Sequence, residues 1–194
     1  MAEHGRVGEE AELARERGKP LLIALGQRLP NAEARSEIAA QLASALAGER
    51  ADEGEAAMIR EAARLQEVGK IYVAEQLLAK PPAELTGAEL ETVRAHYEHG
   101  RALTRGAGIP NRACTWIMHA RERWDGEGPA GLAGDEIPLG SRVIAVTREY
   151  LDAALLEPDA AADPRAAALA RIGRLAGSAL DPVLAGDAVR AAAG

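Results

Sequence analysis

Residues His119 to Asp152 read HARERWDGEGPAGLAGDEIPLGSRVIAVTREYLD. A charged helix end gives way to a glycine-rich run, and an apolar helical segment follows. Gly126, Gly128 and Gly131, with Pro129 among them, cannot continue a helix, so the chain must leave it near Trp124. Ile137-Pro138 fixes an extended step, and Val143, Ile144 and Val146 resume a buried pattern. This order predicts an ordered glycine-rich loop over Asp125 to Leu139, lying against a bundle of helices.

The rest of the chain agrees with an all-α, single-domain protein. Its 194 residues suffice for one sizeable core and would be cramped as two. Hydrophobic residues make up 47%, while aromatics are 3% and Phe is absent. Small aliphatic side chains suit closely packed helices better than a sandwich built around aromatics. The formal charge of -7 argues against a nucleic-acid binder, which needs clustered basic residues. The single Cys114 excludes an intramolecular disulfide and a cysteine-based zinc site, and it reads as a core residue. No stretch approaches membrane-spanning length and the acidic N-terminus is unlike a signal peptide. A cytoplasmic protein is expected.

Residues 1–19 are polar and mixed in charge, with a short helical candidate at Glu9 to Arg17. They read as a surface or partly disordered segment ahead of a domain spanning 20–194. Ile38, Leu42, Ala45 and Leu46 fall at helical spacing before a stop at Gly48. A helix over Glu55 to Gly69 carries Met58, Ile59, Ala62, Ala63 and Leu65 on one face. Pro81-Pro82 must be a loop, and Thr86 with Glu89 forms a capping box that opens the next helix. Trp116 reads as core, Trp124 as packing under the glycine loop, and Asp181-Pro182 as a helix start.

The stretch ERWDG at 122–126, with Gly128, Gly131, Leu132, Gly134, Ile137, Pro138, Arg142, Ile144, Ala145, Val146 and Tyr150, resembles the HD-GYP domains, a branch of the metal-dependent HD phosphohydrolases. LQEVGKIYV at 65–73 is similar to that family's LHDIGKIGV, and the likeness runs from about Pro20 to the C-terminus. The resemblance implies a helical bundle in which histidines and aspartates hold iron or manganese. The metals there activate a water that attacks the phosphodiester of cyclic di-GMP. Laid onto this sequence, the ligand positions are Ala34, Gln66, Glu67, His96, Ala120, Arg121 and Arg148. His96 is unchanged and Glu67 keeps a carboxylate; the alanines offer nothing, and an arginine places a permanent cation where a metal would sit.

The resemblance thus implies the fold without its chemistry: no catalytic residue, no metal and no other cofactor. The candidate pocket residues are Gln66, Glu67, Lys70, His96, Arg121 and Arg148. Lys70 matches the family lysine that contacts substrate phosphate; alternatively it compensates a helix dipole in solvent. His96 is expected as a hydrogen-bonded core or pocket-wall histidine, and His99 in solvent. Arg121 and Arg148 either neutralise Glu67 in place of the lost cations or have drifted to solvent. The expected arrangement pairs Glu67 with Arg148, or with Arg121 as second choice. Three functions follow in order: an inactive regulatory module acting through a protein partner or self-association; a metal-free binder of a cyclic dinucleotide or other phosphate ligand; and a residual phosphohydrolase with a metal at His96, His119 and Glu67.

Overall fold

The computed structural model describes residues 2–80, 84–156 and 163–191. Among these the elements are α1 (Ala2–Gly26), α2 (Ala32–Ala47), α3 (Glu53–Arg64), α4 (Glu75–Leu78), α5 (Gly87–Arg94), α6 (His96–Gly106), α7 (Asn111–His119), α8 (Leu139–Leu156), α9 (Pro164–Leu175) and α10 (Pro182–Ala191). A single β-bridge, Ala176 to Leu180, is the only extended pairing among the described residues. The all-α architecture read from the sequence is the one observed.

Helix α3 is the axis of the bundle. Asp52 caps it by accepting from the Glu55 N–H at 2.9 Å. Met58, Ile59, Ala62 and Ala63 are fully buried along it, and α1, α2, α7 and α8 all pack on it. It stops at Arg64, and a 3-10 turn at Val68–Tyr72 continues the chain instead of the expected helix to Gly69. Helix α8 then packs on α2, α7 and α9, and α10 closes against α9. Asp181 caps α10 through the Val183 and Leu184 N–H groups, and the Thr86–Glu89 capping box opens α5. Pro81 and Pro82 lie outside the described residues.

Two sequence expectations need correction. Residues 2–19 are part of α1, which runs through Pro20 to Gly26. Val7, Ala11, Ala14, Gly18 and Leu25 form a buried stripe at intervals of four, three, four and seven residues. A seam of small residues carries little hydrophobic signal, yet it lets helices approach closely: a Cβ on Gly18 would sit 2.9 Å from Leu65 Cδ2. Pro20 is on the exposed side, where water can satisfy the carbonyl whose helical partner proline removes. The second correction concerns α2. Its buried face is Ala32, Arg35, Ser36, Ala39, Ala40, Ala43, Leu46 and Ala47, whereas Ile38 is 38% exposed. Alanines allow α2 to sit close on α3, so the bulkier Ile38 is turned toward the outside, while Leu42 is half-buried against the core.

The segment 125–138 is an ordered loop, as expected. Gly126 and Gly131 have φ of 84° and 72°, a region that L side chains avoid. The loop is tied down by the Trp124 and Asp125 N–H groups, which donate to Ala179 and Ser178 O. The Arg142 guanidinium covers the Trp124 ring at 5.6 Å.

Candidate functional site

The 3-10 turn after α3 brings the two motif stretches together. A Cβ on Gly69 would lie 1.7 Å from the His96 carbonyl oxygen and 2.5 Å from the Gly100 nitrogen. Glycine at 69 is therefore a packing requirement, since it lets the turn lie directly on the start of α6. The turn and α6 face α8 and the segment 121–129 across a cavity of about 870 Å³. Gln66, Glu67, Lys70, His96, Arg121 and Arg148, the six residues singled out from the sequence, all line it.

Glu67 is almost fully buried, with both oxygens engaged. Arg35 donates to it from Nε at 2.7 Å and from Nη2 at 2.5 Å, and Lys70 Nζ donates to Oε1. Arg35 Nη2 also lies 3.8 Å from Asp152. Burial alone would raise the Glu67 pKa, but the Lys70 charge and the Arg35 hydrogen bonds outweigh it and hold it at about 2. The expected partner was Arg148 or Arg121, and that expectation is wrong. Arg148 donates from Nη1 to Ala120 O at 2.9 Å and from Nη2 to Glu149 at 2.8 Å. Glu149 in turn receives Arg171 at 2.9 Å. The carboxylate one residue further on thus takes Arg148, and Arg35, on the buried face of α2, reaches Glu67 first.

His96 is 6% exposed, and its Nδ1–H donates to Val93 O at 2.7 Å. Burial, then the Lys70 charge, push its pKa down to about 4, so the ring is neutral at pH 7. It stacks on Tyr97, with ring centroids 3.9 Å apart. Tyr97 is itself buried, and burial raises its pKa. Gln66 Nε2 donates to Thr147 Oγ1 at 3.1 Å, and that hydroxyl donates to Ile144 O at 2.8 Å. Lys70 lies in the last turn of the 3-10 segment, and its side chain, 14% exposed, points at Glu67 and not into solvent.

Several expectations fall outside this constellation. Ala34 is exposed and has no place at the cavity wall, because the register puts Arg35 and Ser36 inward. His119 does not line the cavity, and its Nδ1 lies 3.8 Å from Glu122. His99 is exposed, as expected. The sequence reading missed Arg35, Tyr97, Glu122, Glu149 and Asp152. Arg35 did carry a signal, namely a charge in register with the buried alanines of α2. Glu122 is buried, and its carboxylate accepts from Ala130 N at 3.0 Å and Leu132 N at 3.3 Å, pinning the glycine loop over the cavity.

The comparisons with known proteins agree with this architecture. A family model described as HD domain matches residues 17–184. A cyclic di-GMP phosphodiesterase response regulator, RpfG of Xanthomonas campestris, is 36% identical over 135 residues, which is 67% of this chain and 35% of that protein. Bd1817, an HD-GYP-type protein of Bdellovibrio bacteriovorus, superposes with a TM-score of 0.72 at 14% identity, covering 97% of this chain and 65% of that one. The L. monocytogenes phosphodiesterase PgpH HD domain, solved in complex with cyclic-di-AMP, gives 0.60 at 14% identity, over 89% and 95%. The chain spans only about a fifth to a third of the length of the curated relatives it matches. The chain belongs to the HD domain family, in its HD-GYP branch.

The residues present do not fit the metal centre of that branch. Both oxygens of Glu67 are taken by Arg35 and Lys70, and Arg121 and Arg148 place guanidinium groups on the cavity wall. Among the described residues no group of three or more His, Cys, Asp or Glu side chains could hold a metal ion.

Proposed function

We propose that this chain is a catalytically inactive HD-GYP module that regulates through a protein partner or self-association. The observation that carries this reading is the Arg35–Glu67–Lys70 cluster. A carboxylate that would otherwise attract a cation is neutralised by side chains of the same chain, with bidentate geometry. Of the ligand positions, the cavity keeps only His96 as an imidazole, with its Nδ1–H committed to Val93 O, which leaves one ring nitrogen in place of a two-metal ligand set. The test is turnover. Full-length chain purified without chelator and supplied with Fe(II) or Mn(II) is expected to leave cyclic di-GMP unhydrolysed by chromatography. Hydrolysis that disappears in His96→Ala would overturn the reading.

A second reading, the metal-free binding of a cyclic dinucleotide or another phosphate ligand, is supported by the cavity itself. Its volume falls within the range of small-molecule sites, and Lys70, Arg121 and Arg148 supply cationic wall groups. A fold neighbour was solved with cyclic-di-AMP. Calorimetric titration of cyclic di-GMP and cyclic di-AMP into the chain in the presence of EDTA separates the two readings, because only the second expects heat.

A further inference from the structure

The cationic groups of the cavity are not equivalent. Lys70 is held by Glu67, Arg94 by Glu91 at 2.7 Å, Arg123 by Asp125 at 3.0 Å, and Arg148 and Arg171 by Glu149. Arg121 differs: among the described residues it makes no ion pair and no hydrogen bond. Its guanidinium lies over the Tyr97 ring, 5.4 Å from the centroid, and Tyr97 is itself fixed by burial and by the stack on His96. An arginine laid on an aromatic face is held by cation–π attraction, which leaves its N–H fork free. That fork matches the paired oxygens of a phosphate.

The geometry points to Arg121 as the anchor of a metal-free nucleotide site, taking a phosphate on its free N–H fork from the wall of the cavity. This rests on the metal-free reading of the pocket and names the residue that makes it work. That residue stands where the family resemblance places a metal-binding histidine, so the anchor is one the metal-dependent members do not have.

The experiment is calorimetric titration of the full chain in EDTA with GMP and cyclic di-GMP, using guanosine and inorganic phosphate as controls. At least one nucleotide should bind. Arg121→Gln should weaken it by about tenfold or more, the scale of losing a charge-assisted hydrogen bond. Arg121→Lys should fall between, because the charge stays and the fork goes. Arg121→Lys, which keeps a cation over Tyr97, should melt as the parent does and Arg121→Gln only slightly lower, since no ion pair is lost; Lys serves if Gln fails to fold. The proposal is overturned if neither nucleotide binds, if guanosine or phosphate alone binds as well as the nucleotides, or if affinity does not depend on residue 121. Chromatography of the same mixtures for hydrolysis products, with Mn(II) replacing EDTA, reports separately on whether the chain is inactive.

Discussion

Truncating Arg35 to alanine leaves Glu67 buried with only Lys70 to neutralise it. The two side chains are 8% and 10% exposed, and removing one partner of such a pair costs about 3–5 kcal/mol. Lys70 remains, which places Arg35→Ala near the lower end, at about 3 kcal/mol. The depressed pKa gives a similar figure: a fall from 4.5 to about 2 corresponds to about 3 kcal/mol for the whole cluster. The sign follows from linkage. Glu67 titrates lower in the folded chain than in the unfolded one. Its contribution is therefore complete above pH 4.5 and is lost as the pH falls toward 2. Urea denaturation followed by circular dichroism should show a lower midpoint for Arg35→Ala with an unchanged slope. The gap to the parent should narrow steadily as the pH is lowered. Arg35→Ala combined with Glu67→Gln should recover part of the loss, because no buried anion is then left exposed to its own desolvation. A gap that is small at pH 7, or that does not change with pH, refutes the ion-pair reasoning, as does a double variant no better than the single one.

Gly69→Ala should be among the most damaging glycine substitutions, costing about 3 kcal/mol or more by overpacking, since its Cβ would meet the His96 backbone at 1.7 Å; the midpoint in urea reports it. Gly140→Ala should cost about 1–3 kcal/mol, because its Cβ would enter the Trp116 ring at 2.3 Å, and the fluorescence of that tryptophan should shift with it. Glu122→Ala should strip the acceptor from Ala130 and Leu132, destabilise the chain by about 2–3 kcal/mol, and speed hydrogen exchange at those two amides above all others in the loop. His96 has a folded pKa near 4 against 6.5, so the stability that depends on it is complete above pH 6.5 and lost as the pH falls through 4. His96→Gln should accordingly flatten the stability profile across that window.

The fold was legible because the informative residues are backbone-determining ones. Gly126 and Gly131 take positive φ and shape the loop, although α7 stops at His119 and not near Trp124 as expected; the Thr86–Glu89 spacing caps a helix, and the apolar face of α3 has an unambiguous period. Helix α1 was legible ahead of residue 20 only as a short candidate at Glu9 to Arg17, because a seam of Ala11, Ala14 and Gly18 is almost silent in hydrophobicity while it packs tightly. The same silence misplaced the buried face of α2. At the site, the resemblance brought together Gln66, Glu67, Lys70, His96, Arg121 and Arg148, which do share one cavity. It did not give the pairing within them. Sequence position says which side chains converge, but the partner of a buried carboxylate is chosen by reach. Arg148 had a nearer acceptor in Glu149, and Arg35 arrives from a helix whose register was misread.

An internal guanidinium, that of Arg35, holds the Glu67 carboxylate that a metal would need. X-ray diffraction from crystals soaked in Mn(II), with anomalous data recorded near the manganese edge, measures it directly. The expected map shows no anomalous peak in the cavity, with Arg35 still paired to both oxygens of Glu67. A strong peak within about 2.2 Å of a Glu67 oxygen, a metal–carboxylate bonding distance, with Arg35 displaced, would contradict it.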